Sequence, residues 1–489
     1  MASQKHILKS FGIIGSSKLI TIAIGVVRTK IIAVLLGPTG VGIAGILDST
    51  ISLVSNFTHM GIEFSAVRDV AEAAETGDNK KIAKAIIILR RWSWFTGGLG
   101  MLTAILLSEK LSLLGFGNDK YALGIAILSA TILISSVSSG QMALLQGMQQ
   151  LASIAKSNVL GVVIGFAITV PVYYIYGIDG IVPALFVSPV AALCLSWWYA
   201  KRVSVEKIAL SIYETFLGGI GMVKLGFFMV LSTLMMTGTM YLVKIIIISK
   251  SSIDVVGQFQ AVWTLSSVYL MTVVNTMSVD YYPRLAGVNK DNSTVNLLVN
   301  EQLEIAMLVS APLIVFMLSF ASDIIPFFYS KSFVGALTIL QWQLLGDFFK
   351  IIFFPLAYVL LAKKEGMYFI VGEFLAAALF VCVIYFGWDF FGKDSLGIGY
   401  FISRFFYMVL IWLFVRQVSG FRLNTKNFWY MVFFALFVLV SFLNSYFIDG
   451  YMRYVISLLL VLVVGVFSAY ELNRVIDVLG FLKKKFSSK

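Results

Sequence analysis

Charge is scarce in this chain. Only 13% of its 489 residues are Asp, Glu, Lys or Arg and 59% are apolar, whereas soluble domains are about a quarter charged. An ordinary water-soluble globule is thereby excluded. Cysteine and histidine are scarcer still, with two of each. Cys194 and Cys382 lie in long apolar runs, so neither a disulfide framework nor a CxxC metal site is available. His6 and His59 cannot supply a histidine-rich metal centre, and no metal or cofactor is expected. A cleavable leader is also missing, because the first apolar stretch is too long and lacks an A-x-A exit; it reads as an anchor. No connection between apolar runs exceeds about 25 residues, which leaves no room for a folded domain outside them. HExxH, GxSxG and GxGxxG do not occur in a supporting context. The run GWDFFGKD from Gly387 to Asp394 approaches a phosphate loop, but it lacks the final Ser or Thr and no strand precedes it.

What the chain has is apolar runs of about 20 residues, the length that crosses a bilayer. Fourteen are bounded by charge, Gly or Pro, near 11–36, 40–64, 86–107, 121–145, 157–177, 180–200, 223–249, 255–279, 301–320, 336–361, 366–387, 396–416, 428–447 and 452–471. The expected fold is an all-α polytopic membrane protein with about 14 transmembrane helices. With the N-terminus inside, about two dozen of the 37 Lys and Arg fall on cytoplasmic connections, and only Lys110, Lys120, Lys250, Lys331, Lys393 and Arg453 fall outside. Both termini are expected to be cytoplasmic. The net charge of +12 is then a topology signal and calls for no nucleic-acid partner.

The sequence also repeats itself weakly. LKSFGII around Lys9 resembles VKLGFFM around Lys224, KIIAV from Lys30 resembles KIIII from Lys244, and Val41-Gly42 recurs at Val256-Gly257, all at an offset of about 215 residues. Six apolar runs separate the copies. An even number makes the repeat parallel, which predicts two six-helix lobes about an axis along the membrane normal. The predicted divisions are an N-lobe over 1–215, a C-lobe over 216–425, and two further helices with a basic cytoplasmic tail over 426–489.

Polar side chains in hydrocarbon are costly, so stripes of them mark the interior. On the second run, Gly45, Asp48, Ser52, Ser55, Asn56, His59 and Glu63 fall within about 100° of a helical wheel. Helix packing accounts for the glycine and serines, but a water-filled cavity accounts for Asp48, His59 and Glu63 together. The first run carries Lys18, Thr21, Gly25 and Arg28 on one face, with Lys30 rotated about 200° from Arg28. Arg28 lies too deep to snorkel easily, whereas Lys30 fits snorkelling and cavity roles equally. Thr233, Thr237, Tyr241 and Lys244 line up on the seventh run, and Gln343, Asp347 and Lys350 on the tenth. Asp347 and Lys350 either neutralise each other or meet a substrate. Glu373 and Arg404 are expected to pair structurally, and Gly161 to Gly165 to pack closely. Deep cations facing a shared cavity call for an anion, with diphosphate the obvious candidate. Carboxylates there call for a proton or sodium ion as coupling species.

Four stretches carry a resemblance. VRTKIIAVLLGPTGVGIAG with SAVRDVAEAAETGD, YYPRLAGVNKDNSTVNLLVNEQLEIA, and FYSKSFVGALTILQWQLLGDFFKIIFFPLAYVLLAKKE resemble the O-antigen translocases. These are the Wzx-type polysaccharide flippases of the multidrug/oligosaccharidyl-lipid/polysaccharide exporter superfamily. The resemblance implies two lobes around a central cavity in the bacterial inner membrane. It also implies alternating access that moves undecaprenyl-diphosphate-linked sugar repeat units from the cytoplasmic to the periplasmic leaflet. It implies no enzymatic activity; the partners are membrane lipids, a polysaccharide polymerase and a chain-length regulator. On that reading Arg28, Lys30, Lys244, Lys18 and Lys350 are candidates for the diphosphate. Asp48, Glu63, His59, Asn56 and Asp347 are candidates for a coupling ion or sugar hydroxyls. A drug/cation antiporter of the same superfamily would prefer an acidic cavity. An O-antigen polymerase or ligase would carry a large periplasmic loop.

Overall fold

The computed structural model describes residues 2–203, 206 and 208–476. Side chains are described from Ser17 onward, except those of 63–64, 221, 224–229, 268–269, 271–276 and 278–279. No strand occurs among the described residues. In hydrocarbon every backbone N–H and C=O must bond internally, and a helix achieves this within one segment.

The chain divides into two compact units, Met1–Gly257 with Phe328–Ser330, and Gln258–Phe327 with Lys331–Lys489. The first begins with α1 (Ala2–His59), which holds two of the expected runs in one helix bent at Gly37. Pro38 lacks an N–H and disfavours helical geometry in the residue before it. Gly37 resolves the conflict by adopting φ 62°, which costs a glycine little. The helix ends where Met60 (φ 53°) and Gly61 (φ 67°) both turn left-handed. Helix two was expected to run through residue 64; the break instead assigns Glu63 to the next helix, α2 (Ile62–Glu75). That helix is amphipathic. Ile62, Ala66 and Val70 are buried against Leu89, Trp92 and Leu144, while Arg68 and Glu72 pair at 3.1 Å on the exposed side.

Next come α3 (Asn79–Leu106), α4 (Ser108–Phe116), α5 (Ala122–Gly147), α6 (Leu151–Tyr176), α7 (Ile181–Ala200) and α8 (Ile212–Lys250). The Asp78 carboxylate caps α3 by accepting from Lys80 N at 2.9 Å, which satisfies an otherwise orphaned amide. In α8, Ser211 and Glu214 form a capping box. The two helices are tied together by Arg91, which donates to Leu210 O (3.0 Å) and Thr215 Oγ1 (2.7 Å), and by Trp92 Nε1, which donates to Thr215 O (2.8 Å). Helix α1 packs on α6, α3 on α5, and α7 on both α5 and α6.

The helix α9 (Ile253–Trp263) passes from the first unit to the second, and a π-helical turn (Thr264–Leu270) follows it. The second unit continues with α10 (Met271–Gly287), α11 (Asn292–Ser319), α12 (Ala321–Phe328), α13 (Leu337–Ala362), α14 (Gly366–Phe391), α15 (Ser395–Ser419), α16 (Thr425–Phe447) and α17 (Tyr451–Ile476). Its most buried long helix is α13, packed on α11, α15 and α16. One core joins Leu356 and Leu360 to Tyr281, Val299, Ile411 and Val415. The last two helices lean on α11. Asn427 Nδ2 donates to Asn300 O at 2.7 Å, Lys426 meets Glu304 at 2.6 Å, and Tyr430 donates to Glu471 at 2.7 Å. The cap of α11 is Asp291, whose carboxylate accepts from the hydroxyls of Ser293 and Thr294 and from Ser293 N. Those bonds hold its pKa down to about 2.

Nine stretches among the described residues are long and apolar enough to cross a bilayer, or ten if α3 and α4, bent by 66°, form one span. Three of them, Ser17–His59, Leu151–Ala200 and Gly366–Ser419, run for 43, 50 and 54 residues, each enough for two crossings of about 20. The chain is a multi-pass membrane protein.

Within the first unit the sequence repeat becomes a contact. Thr39 Oγ1 donates to Asp254 Oδ1 at 2.5 Å across a separation of 215 residues, the offset of the repeat. Gly42 and Gly257, also equivalent, pack backbone to backbone. A Cβ on Gly42 would lie 2.3 Å from Ile253 O, and one on Gly257 would lie 1.9 Å from Pro38 O.

Candidate functional site

A polar cavity of about 290 Å³ opens inside the first unit between α1, α5 and α7. One wall is the stripe expected on the second run, with Asp48, Ser52, Ser55, Asn56 and His59 lining it in register. Their spacing of three and four puts them on one side of the segment beyond the Gly37 bend. Ser55 Oγ and His59 Nε2 lie 3.3 Å apart, which fixes the imidazole on that face. Thr131, Ser135 and Ser139 of α5 form the facing wall, and Leu185 and Pro189 of α7 close it. A carboxylate such as Asp48 is strongly disfavoured in hydrocarbon. Here its side chain is exposed to the cavity, which has room and hydrogen-bonding partners for several waters.

None of the predicted cations lines this cavity, although Lys244 lies within electrostatic reach of Asp48. Arg28, before the bend, is half-buried and donates to Ser188 Oγ of α7 at 3.4 Å, while its Nε is buried without a partner. Ser188 also sits against Gly165, where an added Cβ would lie 3.2 Å from its hydroxyl, so Gly165 packs closely on α7, whereas a Cβ on Gly161 would lie an ordinary 3.7 Å from Leu195. Lys18 is exposed and Lys30 half-buried. Lys244 is 4% exposed; its Nζ donates to Gly45 O at 2.8 Å and to Ser49 Oγ at 2.5 Å. Those groups lie beside Asp48 in sequence but outside the cavity wall. The side chain of Glu63 lies outside the described residues.

A second polar cluster occupies the core of the other unit. Asp347 of α13 is fully buried and accepts from Ser266 Oγ and from Tyr400 Oη, the latter at 2.8 Å. Gln343 Nε2 donates to the same Ser266 hydroxyl at 2.9 Å. Ser266 belongs to the π-helical turn, a distortion that recurs at functional sites. Lys350 lies one turn along α13, half-buried, within electrostatic reach of Asp347 and Glu373. Asp347 is therefore held by two hydroxyl donors and by the electrostatic attraction of its helical neighbour Lys350. Arg404 feels the attraction of Glu373 without a direct ion-pair contact among the described residues, and its guanidinium lies 4.9 Å from the centroid of the Tyr400 ring.

The structure thus brings Asp48, Asn56 and His59 together and leaves Lys18, Arg28, Lys30 and Lys244 off that cavity, with Asp347 and Lys350 in the other unit. Sequence reasoning missed the α5 wall. Its signal was present, since Thr131, Ser135 and Ser139 recur every four residues.

The family model described as "Polysaccharide biosynthesis protein" matches residues 31–338. The chain is 24% identical over 371 residues to the lipid III flippase of Escherichia coli (strain K12), covering 73% of this chain and 86% of that protein. It superposes on the lipid II flippase MurJ in an inward closed conformation with TM-score 0.70 at 15% identity, covering 94% and 98% of the two chains. Against an inward-facing multidrug resistance MATE family transporter of the MOP superfamily the TM-score is 0.66 at 15% identity, covering 82% and 98%. The fold is that of these transporters.

Proposed function

Because this chain belongs to the polysaccharide biosynthesis protein family, we propose that it is a transporter, a flippase for lipid-linked oligosaccharide. The cargo is an undecaprenyl-diphosphate-linked O-antigen or polysaccharide repeat unit, moved from the cytoplasmic to the periplasmic leaflet of the bacterial inner membrane. The observation that carries this reading is the cavity itself, a wall of hydroxyl, amide, imidazole and carboxylate groups inside an otherwise apolar chain. Such groups match a polyol, because each sugar hydroxyl both donates and accepts. The 24% identity to a lipid III flippase supports the same class of cargo.

On this reading the chain makes fourteen crossings, both termini are cytoplasmic, and two six-helix lobes alternate in exposing the cavity to either side. Asp48, Asn56 and His59 hold sugar hydroxyls or a coupling proton or sodium ion. Arg28, whose Nε lacks a hydrogen-bond partner, takes the diphosphate with Lys18, and Lys30, on the opposite face of the helix, serves only in its place. Lys244 joins them only in a conformation that releases it from Gly45 and Ser49. Asp347 and Lys350 give the other lobe its own charged pair. The polyprenyl tail stays in the bilayer, and the delivered unit passes to a polymerase.

The test is translocation of a fluorescent undecaprenyl-diphosphate oligosaccharide in proteoliposomes under an imposed pH or sodium gradient. Arg28→Ala and Asp48→Asn should each slow flipping at least tenfold, the effect of losing about 1.4 kcal/mol. Wild-type rates in both variants would overturn the site assignment.

A further inference from the structure

A separate crevice of about 190 Å³ lies in the first unit between α3, α5 and α7. Arg90 of α3 and Lys201, just past the end of α7, both line it, with Gln141 of α5. The indoles of Trp94 and Trp197 flank it and are 52% and 45% exposed. In a membrane-spanning chain, exposed tryptophan beside basic residues marks the headgroup level of the bilayer.

The crevice is electrostatically unfinished. Arg90 Nε and Gln141 Oε1 are both buried without a hydrogen-bond partner, although Gln141 as a whole is only 4% exposed. Neighbouring cations on the same two helices are provided for. Arg91 donates to Leu210 O and Thr215 Oγ1, and the Arg202 guanidinium lies 4.7 Å from the centroid of the Trp198 ring. Arg90 and Lys201, the two cations that line the crevice, have no acidic partner among the described residues. Buried polar groups are rarely left unpaired, and an orphan calls for a missing partner.

The missing partner is an anion, because a guanidinium and an ammonium line the same crevice, and phosphate oxygens match that pair. It must also offer a hydroxyl to Gln141, whose amide can donate or accept according to its flip. The two indoles add an apolar rim for a glycerol backbone and the first acyl carbons. We propose that this crevice binds the phosphate headgroup of an anionic glycerophospholipid with headgroup hydroxyls, held as a resident of the bilayer and distinct from the transported cargo.

The test uses the purified full chain, titrated with phosphatidylglycerol and followed by native mass spectrometry. Arg90→Gln with Lys201→Gln should weaken the first bound lipid about thirtyfold, the effect of two cations at a membrane surface. Lys81→Gln with Lys84→Gln removes the same charge from exposed positions of α3 and should leave binding within about twofold. Gln141→Leu should erase preference for phosphatidylglycerol over phosphatidic acid, which lacks the headgroup hydroxyls, and unchanged melting of each variant keeps the comparison free of misfolding. Equal weakening in both double variants would reduce the effect to general surface charge and overturn the proposal. Displacement of the lipid by excess inorganic phosphate would assign the crevice to a free anion, and displacement by equimolar undecaprenyl diphosphate would assign it to the cargo; either result overturns the resident-lipid assignment.

Discussion

Alanine at Gly257 would place a methyl carbon 1.9 Å from the Pro38 carbonyl oxygen and 2.7 Å from its carbonyl carbon. Both obstacles are backbone, next to the bend at Gly37, so no side chain can swing aside. In an exposed helix the same substitution gains about 0.8–1.0 kcal/mol from propensity. Here overpacking costs roughly 1–3 kcal/mol, so the expected sign reverses. A loss of that size shifts the equilibrium away from the closed contact by about 5- to 150-fold. The contact can be read directly by crosslinking. With the exposed Cys194 and Cys382 replaced by serine, Thr39→Cys and Asp254→Cys stand where the native side chains already touch at 2.5 Å, and a short bifunctional thiol reagent bridges the pair. Adding Gly257→Ala should slow crosslinking at least fivefold and lower the apparent melting temperature. An unchanged crosslinking rate with raised thermal stability would refute the packing argument, because that is how an unconstrained helical glycine behaves.

Asp347→Ala strands the Ser266 and Tyr400 hydroxyls in the core and should cost about 2–4 kcal/mol, whereas Tyr400→Phe should cost about 1 kcal/mol; thermal inactivation half-lives in detergent rank them. Asn427→Ala removes the donor to Asn300 O and should destabilise by about 1–3 kcal/mol, with proteolysis between α16 and α11 appearing before global loss. Asp291 titrates at about 2 in the folded chain against about 3.9 unfolded. Its capping contribution is therefore complete above pH 4 and fades as pH falls towards 2. The stability gap between wild type and Asp291→Ala should follow that course; a gap that grew on acidification would contradict the sign.

Much of this was legible in the sequence because bilayer thickness imposes a coarse, local signal. Runs of about 20 apolar residues can only become helices, and the Asp48, Asn56 and His59 spacing places them on one wall without further information. The weak repeat at Gly42 and Gly257 proved to mark a place where equivalent residues touch. Glu63 was misassigned because wheel arithmetic presumes an unbroken helix, and nothing in Met60-Gly61 announces two consecutive left-handed residues. The partners of Lys244 could not be foreseen, since Gly45 and Ser49 lie 199 and 195 residues away. Serines and threonines on α5 read as packing residues, for hydroxyls can satisfy themselves on their own helix, as Thr131 does with Leu128 O at 2.5 Å. Only the cavity opposite shows which of them face water.

The most direct test of the account is transport by the wild-type chain alone. Reconstituted into liposomes, it should move a labelled undecaprenyl-diphosphate oligosaccharide across the bilayer, with the recovered lipid still carrying its sugars unchanged. Failure to move that lipid, with gradient-driven export of cationic drugs instead, would contradict the flippase reading; release or lengthening of the sugar chain would contradict transport altogether.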